Sequence, residues 1–208
     1  DDSDDHKSLF FCTRDGVVKQ TDVKQFKSGR SGVIAISLRE SDEIISVSMT
    51  TVDDNIFIAT ENGKTIQFSS KDVRSMGRTA TGVKGITLEE NDKVVSMEVL
   101  TGYPYILSVT TKGYGKCSLV SDYRLQTRGG KGVKLCRVTP KTGAICGAKQ
   151  VNLEDEVMII TKDGKIIRIN VSEIPVMGRD TQGVRLMATE NELIAFAVMK
   201  EDLDDDED

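Results

Sequence analysis

The sequence predicts an all-β fold of four antiparallel, four-stranded blades, and three observations carry that expectation. First, a Gly-Val pair opens an apolar run at Gly32-Val33, Gly82-Val83, Gly132-Val133 and Gly183-Val184, at intervals of 50, 50 and 51 residues. Second, a turn dipeptide precedes each pair, at Asp15-Gly16, Asn62-Gly63, Lys112-Gly113 and Asp163-Gly164. Its Gly lies 19 residues ahead of the Gly-Val pair in the last three repeats and 16 ahead in the first. Third, no segment outside the loops holds a helical period, whereas alternation with period two is plain. One sheet of about 50 residues cannot bury both its faces alone. Neighbouring repeats must stack, and four-stranded units of this length suit blades arranged about an axis.

The elements follow in order within approximate repeats 8–52, 53–102, 103–153 and 154–200. In the first, Ile45, Val47 and Met49 alternate with Ser46 and Ser48, as in a half-buried strand. In the second, NIFIAT (55–60) and KTIQF (64–68) flank a Glu-Asn-Gly turn, a strong hairpin signal because Asn-Gly tolerates positive φ. A polar loop, SSKDVRSMGRTATG, leads to expected strands VKGITL (83–88) and VVSMEVL (94–100), joined by the acidic turn EENDK. The last repeat keeps the order: EVMIIT, KDGK, IIRIN, the loop VSEIPVMGRDTQG, VRLMA and LIAFAVM. KDVRSM and VSEI are long enough for one helical turn. The chain has no Trp, and Gly-Gly occurs only at Gly129-Gly130, so the blades lack the markers of Trp-Asp and kelch repeats.

Composition narrows the function. With 38% apolar and 29% charged residues the chain can bury a core. No apolar run is long enough for a membrane-spanning helix. The acidic start, DDSDDHKSLFF, is unlike a secretory signal, and the missing initiator Met suits a fragment of a longer chain. Cys12, Cys117, Cys136 and Cys146 have no C-x-x-C spacing and no clustered His, so they read as reduced, packed thiols of a cytosolic protein. A single histidine, His6, argues against His-based catalysis. The carboxylate pairs Asp53-Asp54 and Glu89-Glu90 sit in turn-like, solvated contexts, there is no GxxxxGK[ST], and Gly113-Tyr114-Gly115 is a turn with no helix behind it. No catalytic residue, metal site, cofactor or small-molecule substrate is therefore expected. Net charge is −5, but residues 1–5 hold four carboxylates and residues 201–208 hold seven. The body keeps 22 acidic residues against all 28 Lys and Arg, and so carries +6. A basic body between acidic ends suits a polyanionic partner, with the ends solvated and disordered.

The basic residues concentrate in the loop before each Gly-Val pair. The loops contribute Lys27 and Arg30; Arg74 and Arg78, with Lys84 just beyond; Arg124, Arg128 and Lys131, with Lys134 beyond; and Arg179, with Arg185 beyond. Arg78, Arg128 and Arg179 each stand four residues before the repeat Gly, where the first repeat has Ser28. A guanidinium can fork onto phosphate oxygens, and adjacent Gly lets backbone N–H groups approach them. The alternative is a solvated connection whose Arg pairs with a neighbouring carboxylate.

The recurring MGR-x-x-x-GV pattern, with GYGKCSLVSDY and LQTRGGKGV in one unit, resembles the C-terminal domain of DNA gyrase A subunits over residues 8–200. QTRGGKG (126–132) is similar to the heptapeptide QRRGGKG of that family, departing at Thr127. The family carries its heptapeptide in the first of typically six blades, so this chain looks like the last four and the similar segment like the equivalent loop of the fifth. The resemblance implies a β-pinwheel with strands exchanged between neighbouring blades. It further implies wrapping of double-stranded DNA, without sequence preference, about a basic rim. The partners it implies are the remainder of the gyrase A protein and the gyrase B protein, in an ATP-dependent, negatively supercoiling holoenzyme of the bacterial cytoplasm, at the nucleoid. Tyr103, Tyr105, Tyr114 and Tyr123 lack the Arg-Tyr context of the family's DNA-cleaving tyrosine and read as packing residues. The corresponding C-terminal domain of topoisomerase IV, and a propeller that binds an acidic protein, are the alternatives.

Overall fold

The computed structural model describes residues 5–200. Each repeat supplies three long strands: β1 (Ser8–Thr13), β2 (Val17–Asp22) and β3 (Ile44–Thr50) in the first; β4 (Asn55–Thr60), β5 (Lys64–Ser69) and β7 (Val94–Leu100) in the second. The third has β8 (Tyr105–Thr110), β9 (Tyr114–Leu119) and β12 (Ile145–Val151), and the fourth β13 (Glu156–Thr161), β14 (Ile166–Asn170) and β16 (Leu193–Met199). The first strand of each repeat is central, paired antiparallel with the other two. Among the described residues the helical elements are single 3-10 turns, at Val23–Phe26, Ser70–Asp72, Val120–Asp122 and Val171–Glu173.

A threonine at the end of each central strand builds the hairpin. Gly16, Gly63, Gly113 and Gly164 donate their N–H to the carbonyls of Thr13, Thr60, Thr110 and Thr161 at 3.0–3.1 Å. The buried hydroxyls of the same threonines accept from the N–H of Val17, Lys64, Tyr114 and Lys165, also at 3.0–3.1 Å. Side chain and backbone of one residue thus satisfy both donors of the turn, which in the first and third repeats would otherwise be buried unpaired. A register shift sits at the same place in every repeat, at Cys12/Thr13, Ala59/Thr60, Ile145/Gly147 and Ile160/Thr161. Such bulges increase local twist.

The Gly-Val segments depart from the expectation of four strands inside one repeat. VKGITL forms only the two-residue β6 (Val83–Lys84), and it pairs with β2 of the preceding repeat. β11 (Val133–Lys134) pairs with β5, and β15 (Val184–Arg185) with β9. This is the exchanged strand of a β-pinwheel. The blades are also not purely antiparallel, because β10 (Leu125–Gln126) runs parallel to β5. Gly32-Val33 forms no strand, and Ile34 is 63% exposed. β14 receives no exchanged strand among the described residues, so the fourth sheet has three strands and β14 is exposed at alternate positions.

The chain divides into two compact units, residues 1–102 with 123–135, and residues 103–122 with 136–208. The boundary cuts through the third repeat because its loop strands belong to the sheet of the second. In the first unit Phe10, Val18, Ile56, Ile66, Phe68 and Ile86 form one core drawn from two repeats. In the second unit Leu107, Val109, Cys117, Val157, Ile159 and Phe196 do the same. The four thiols are free; burial pushes Cys117 up to about 12 and Cys146 to about 11. Tyr114 and Tyr123 are buried, and Tyr123 meets the Phe57 ring edge-on at 5.1 Å, as expected of packing residues.

Candidate nucleic-acid interface

Each arginine sits at the apex of a loop whose two ends lie on the same strand of the preceding repeat. Ser75 bridges in parallel to Gln20, and Val83 returns antiparallel to Val18. Leu125 pairs with Gln67 and Val133 with Thr65; Val176 pairs with Cys117 and Val184 with Gly115. Arg78, Arg128 and Arg179 lie between these anchors. The return passes so close to the underlying strand that glycine is required. A Cβ on Gly132 (φ +75°) would lie 2.2 Å from the Thr65 carbonyl oxygen, and Gly82 and Gly183 are hemmed in similarly, whereas at Gly32 it would meet nothing within 4 Å.

Consecutive loops within a unit are hydrogen-bonded to one another. Ser37 donates its N–H to the Ala80 carbonyl at 3.4 Å, Thr87 to Gly130 at 2.9 Å, and Arg137 to Thr181 at 2.9 Å. These are equivalent positions in the repeat. Two arginines reinforce the link: Arg78 Nη1 donates to the Ile34 carbonyl and Arg128 Nη1 to the Lys84 carbonyl, both at 3.0 Å, while Arg128 Nε reaches the Asp72 carbonyl at 2.9 Å. Main-chain carbonyls of the preceding loop thus orient these guanidiniums. A guanidinium carries five N–H groups. One fixed through one or two of them keeps donors for a phosphate oxygen.

Arg78, Arg128 and Arg179 are half-buried at their apices. Lys27, Arg30, Arg74, Lys84, Arg124, Lys131, Lys134 and Arg185 are exposed around them. The loops of the first unit carry nine of these eleven cations and those of the second carry Arg179 and Arg185.

Two lysines that sequence reasoning passed over lie beneath the apices. Lys19 and Lys116 are fully buried. Lys19 Nζ donates to the Ala35 carbonyl at 2.5 Å and to the Arg78 carbonyl. Lys116 Nζ donates to the carbonyls of Gly178 at 2.8 Å and Arg179 at 2.6 Å and to Thr181 Oγ1 at 3.0 Å. Burial pushes both ammonium groups below the usual lysine range, Lys116 to about 8. The available signal was register: each stands three residues after its hairpin Gly, where the second and fourth repeats have Ile66 and Ile167.

The chain matches the family described as "DNA gyrase C-terminal domain, beta-propeller" over residues 7–51, 54–101, 104–152 and 155–207. It is 44% identical over 202 residues to the DNA gyrase A subunit of Ureaplasma parvum, covering 96% of this chain and 24% of that protein. It is 42% identical over 203 residues to the DNA gyrase A subunit of Klebsiella oxytoca, covering 96% and 23%. The chain therefore spans about a quarter of the length of these relatives. Two solved structures are similar at 27% identity. The C-terminal domain of DNA topoisomerase IV gives a TM-score of 0.89, covering 94% of this chain and 62% of that one. The DNA gyrase A C-terminal domain gives 0.87, covering 96% and 68%. With exchanged strands and arginine-loop repeats matched along its length, the chain belongs to the DNA gyrase C-terminal domain, beta-propeller family.

Proposed function

We propose that this chain is a non-catalytic module that binds duplex DNA of any sequence through its arginine loops and bends it. It thereby supports ATP-dependent negative supercoiling by a holoenzyme, at the nucleoid in the cytoplasm. Strand passage there falls to the remainder of the gyrase A protein and to the gyrase B protein. The observation that carries the reading is repetition of one device. An arginine apex, glycine-tight and tied to the loop before it, recurs with exposed lysines and arginines around it. Cations that recur at the same position of each repeat suit phosphates, which every duplex presents, and read no base. Among the described residues no cluster of His, Cys, Asp or Glu could hold a metal, and no helix is long and apolar enough to cross a membrane.

The test is binding of the chain to unrelated duplexes over a salt series. Affinity is expected to be equal among sequences and to fall with a log–log slope of about −0.9 per phosphate neutralised. Wrapping is tested by relaxing a plasmid with a nicking-closing enzyme in the presence of the chain; a displaced topoisomer distribution is expected. Binding without displacement would reduce the module to a straight DNA clamp, and salt-independent or absent binding would favour an acidic protein partner. The topoisomerase IV likeness supports the same chemistry in a sister enzyme.

A further inference from the structure

We propose that Lys19 and Lys116 are positioning residues: each buried ammonium clips the backbone of the next repeat's arginine loop, so that the arginine is held ready for phosphate. This rests on the DNA reading above. The position is fixed by topology. Lys19 lies between Val18 and Gln20, the two residues on which the ends of the second loop dock, and Lys116 lies between Gly115 and Cys117, which dock the fourth. The side chain at that point can only face the apex from beneath. Lys116 spends all three N–H groups there, on two consecutive carbonyls and a hydroxyl, and one of those carbonyls belongs to Arg179 itself. Thr181 Oγ1 in turn donates to the Gly178 carbonyl at 2.8 Å, closing the loop on itself. Lys19 clips the Arg78 carbonyl in the same way, and adds Ala35 of the loop before.

A fully buried ammonium is costly unless it is well partnered. Having no exposure, neither lysine can touch a phosphate, so their contribution to DNA binding must pass through the loops. The third loop supplies the contrast. Ile66 occupies the seat there, between Thr65 and Gln67, and the apex above it reads Arg128-Gly129-Gly130. A Cβ on Gly130 would lie 3.7 Å from Ile66 Cδ1. That loop relies on the sideways hold that the fourth loop also has: Thr87 binds the Gly129 carbonyl through Oγ1 at 2.6 Å and the Gly130 carbonyl through N–H, as Arg137 binds the Asp180 and Thr181 carbonyls. The seat residue thus sorts the loops into two kinds, a lysine beneath Met-Gly-Arg apices and an isoleucine beneath the Arg-Gly-Gly apex. The charged groups facing Lys116 are Asp180, Arg179 and Arg137, with the Cys136 thiol.

The experiment compares the chain with Lys116→Met, which keeps length and removes the donors, by duplex binding and by amide exchange at Arg137, Met177 and Leu186, whose N–H groups bind the loop or anchor its two ends. We expect exchange protection of those amides to fall at least tenfold, affinity to drop about 3- to 10-fold, and the salt slope to shrink by about 0.9, one phosphate. Raising pH from 7 to 9.5 should weaken binding by the unmodified chain about two- to threefold more than by the variant, since Lys116 is the one lowered ammonium that the two chains do not share. Unchanged protection and affinity in a folded variant would overturn the proposal, as would coincident pH profiles. Should the variant fail to fold, Thr181→Val removes one acceptor and keeps the charge, and it must lower protection of the same amides severalfold; no change is fatal. If the unmodified chain binds no DNA, the wrapping reading falls, while exchange measured without DNA still decides whether the lysine clips the loop.

Discussion

Lys116 shows how one residue can have opposite effects on a fold and on a loop. Burial lowers its pKa to about 8 from an ordinary 10.5, so the folded chain releases this proton between pH 8 and 10.5 while the unfolded chain keeps it. Stability rises with pH wherever the unfolded state binds more protons. The cost of the buried charge is thus fully present below pH 8 and is relieved above it. The melting temperature of the unmodified chain, relative to Lys116→Met, should climb from pH 8 to pH 10 even as the clip on Arg179 loosens. Arg128 and Lys131 separate along another line. Arg128→Ala strips two carbonyls of their donor, so it should cost about 1–2 kcal/mol of stability as well as DNA affinity. Exposed Lys131→Ala should leave stability within about 0.5 kcal/mol while lowering affinity for all sequences alike. Chemical denaturation read beside the salt series checks both; equal stability losses would contradict the assignment.

At the scale of the element, the exchanged strand is short because only its first two residues need to dock. β6, β11 and β15 have two residues each, and their hold comes from a backbone approach that excludes any Cβ. Gly132→Ala combines a positive φ with a clash against the Thr65 carbonyl, so it should lose roughly 2–4 kcal/mol. Gly32→Ala, at the same repeat position with nothing near it, should change stability by less than about 0.5 kcal/mol. Comparable losses at the two sites, measured by urea unfolding, would show that the first loop is docked too. The hairpins owe their identity to Thr13, Thr60, Thr110 and Thr161 as much as to the glycines three residues on. The turn glycines alone do not disclose that second marker.

Over the whole molecule, the charge pattern makes the last prediction. Residues 201–208 hold seven carboxylates and lie outside the described residues, as do the first four. The residue before the tail is anchored: Lys200 Nζ bonds buried Asp155 at 2.8 Å and lies 3.6 Å from the centre of the Tyr103 ring. A strongly acidic segment tethered at a fixed point beside a +6 body competes with phosphate at high effective concentration. Truncation after Lys200 should tighten DNA binding severalfold at low salt, and screening should erase the difference at high salt. Equal affinities at low salt would make the tail a passive solubiliser.

Fold class, repeat and candidate cations are legible in the residues alone. Period-two alternation, turn glycines and the 50-residue spacing are local, one-dimensional signals. The hairpins β4–β5 and β13–β14 fall where those signals put them. To which sheet each Gly-Val segment belongs is settled only in three dimensions. Pairing a two-residue strand is a long-range choice, governed by which backbone a bare glycine can approach, and VKGITL reads the same whichever neighbour it joins. The same holds for what lies under the arginines. Lys19 and Lys116 look like ordinary surface lysines of a strand until the docked loop removes their water and gives their protons carbonyls instead. A charge becomes structural only when a segment some sixty residues away in sequence closes over it, and no local pattern records that closure.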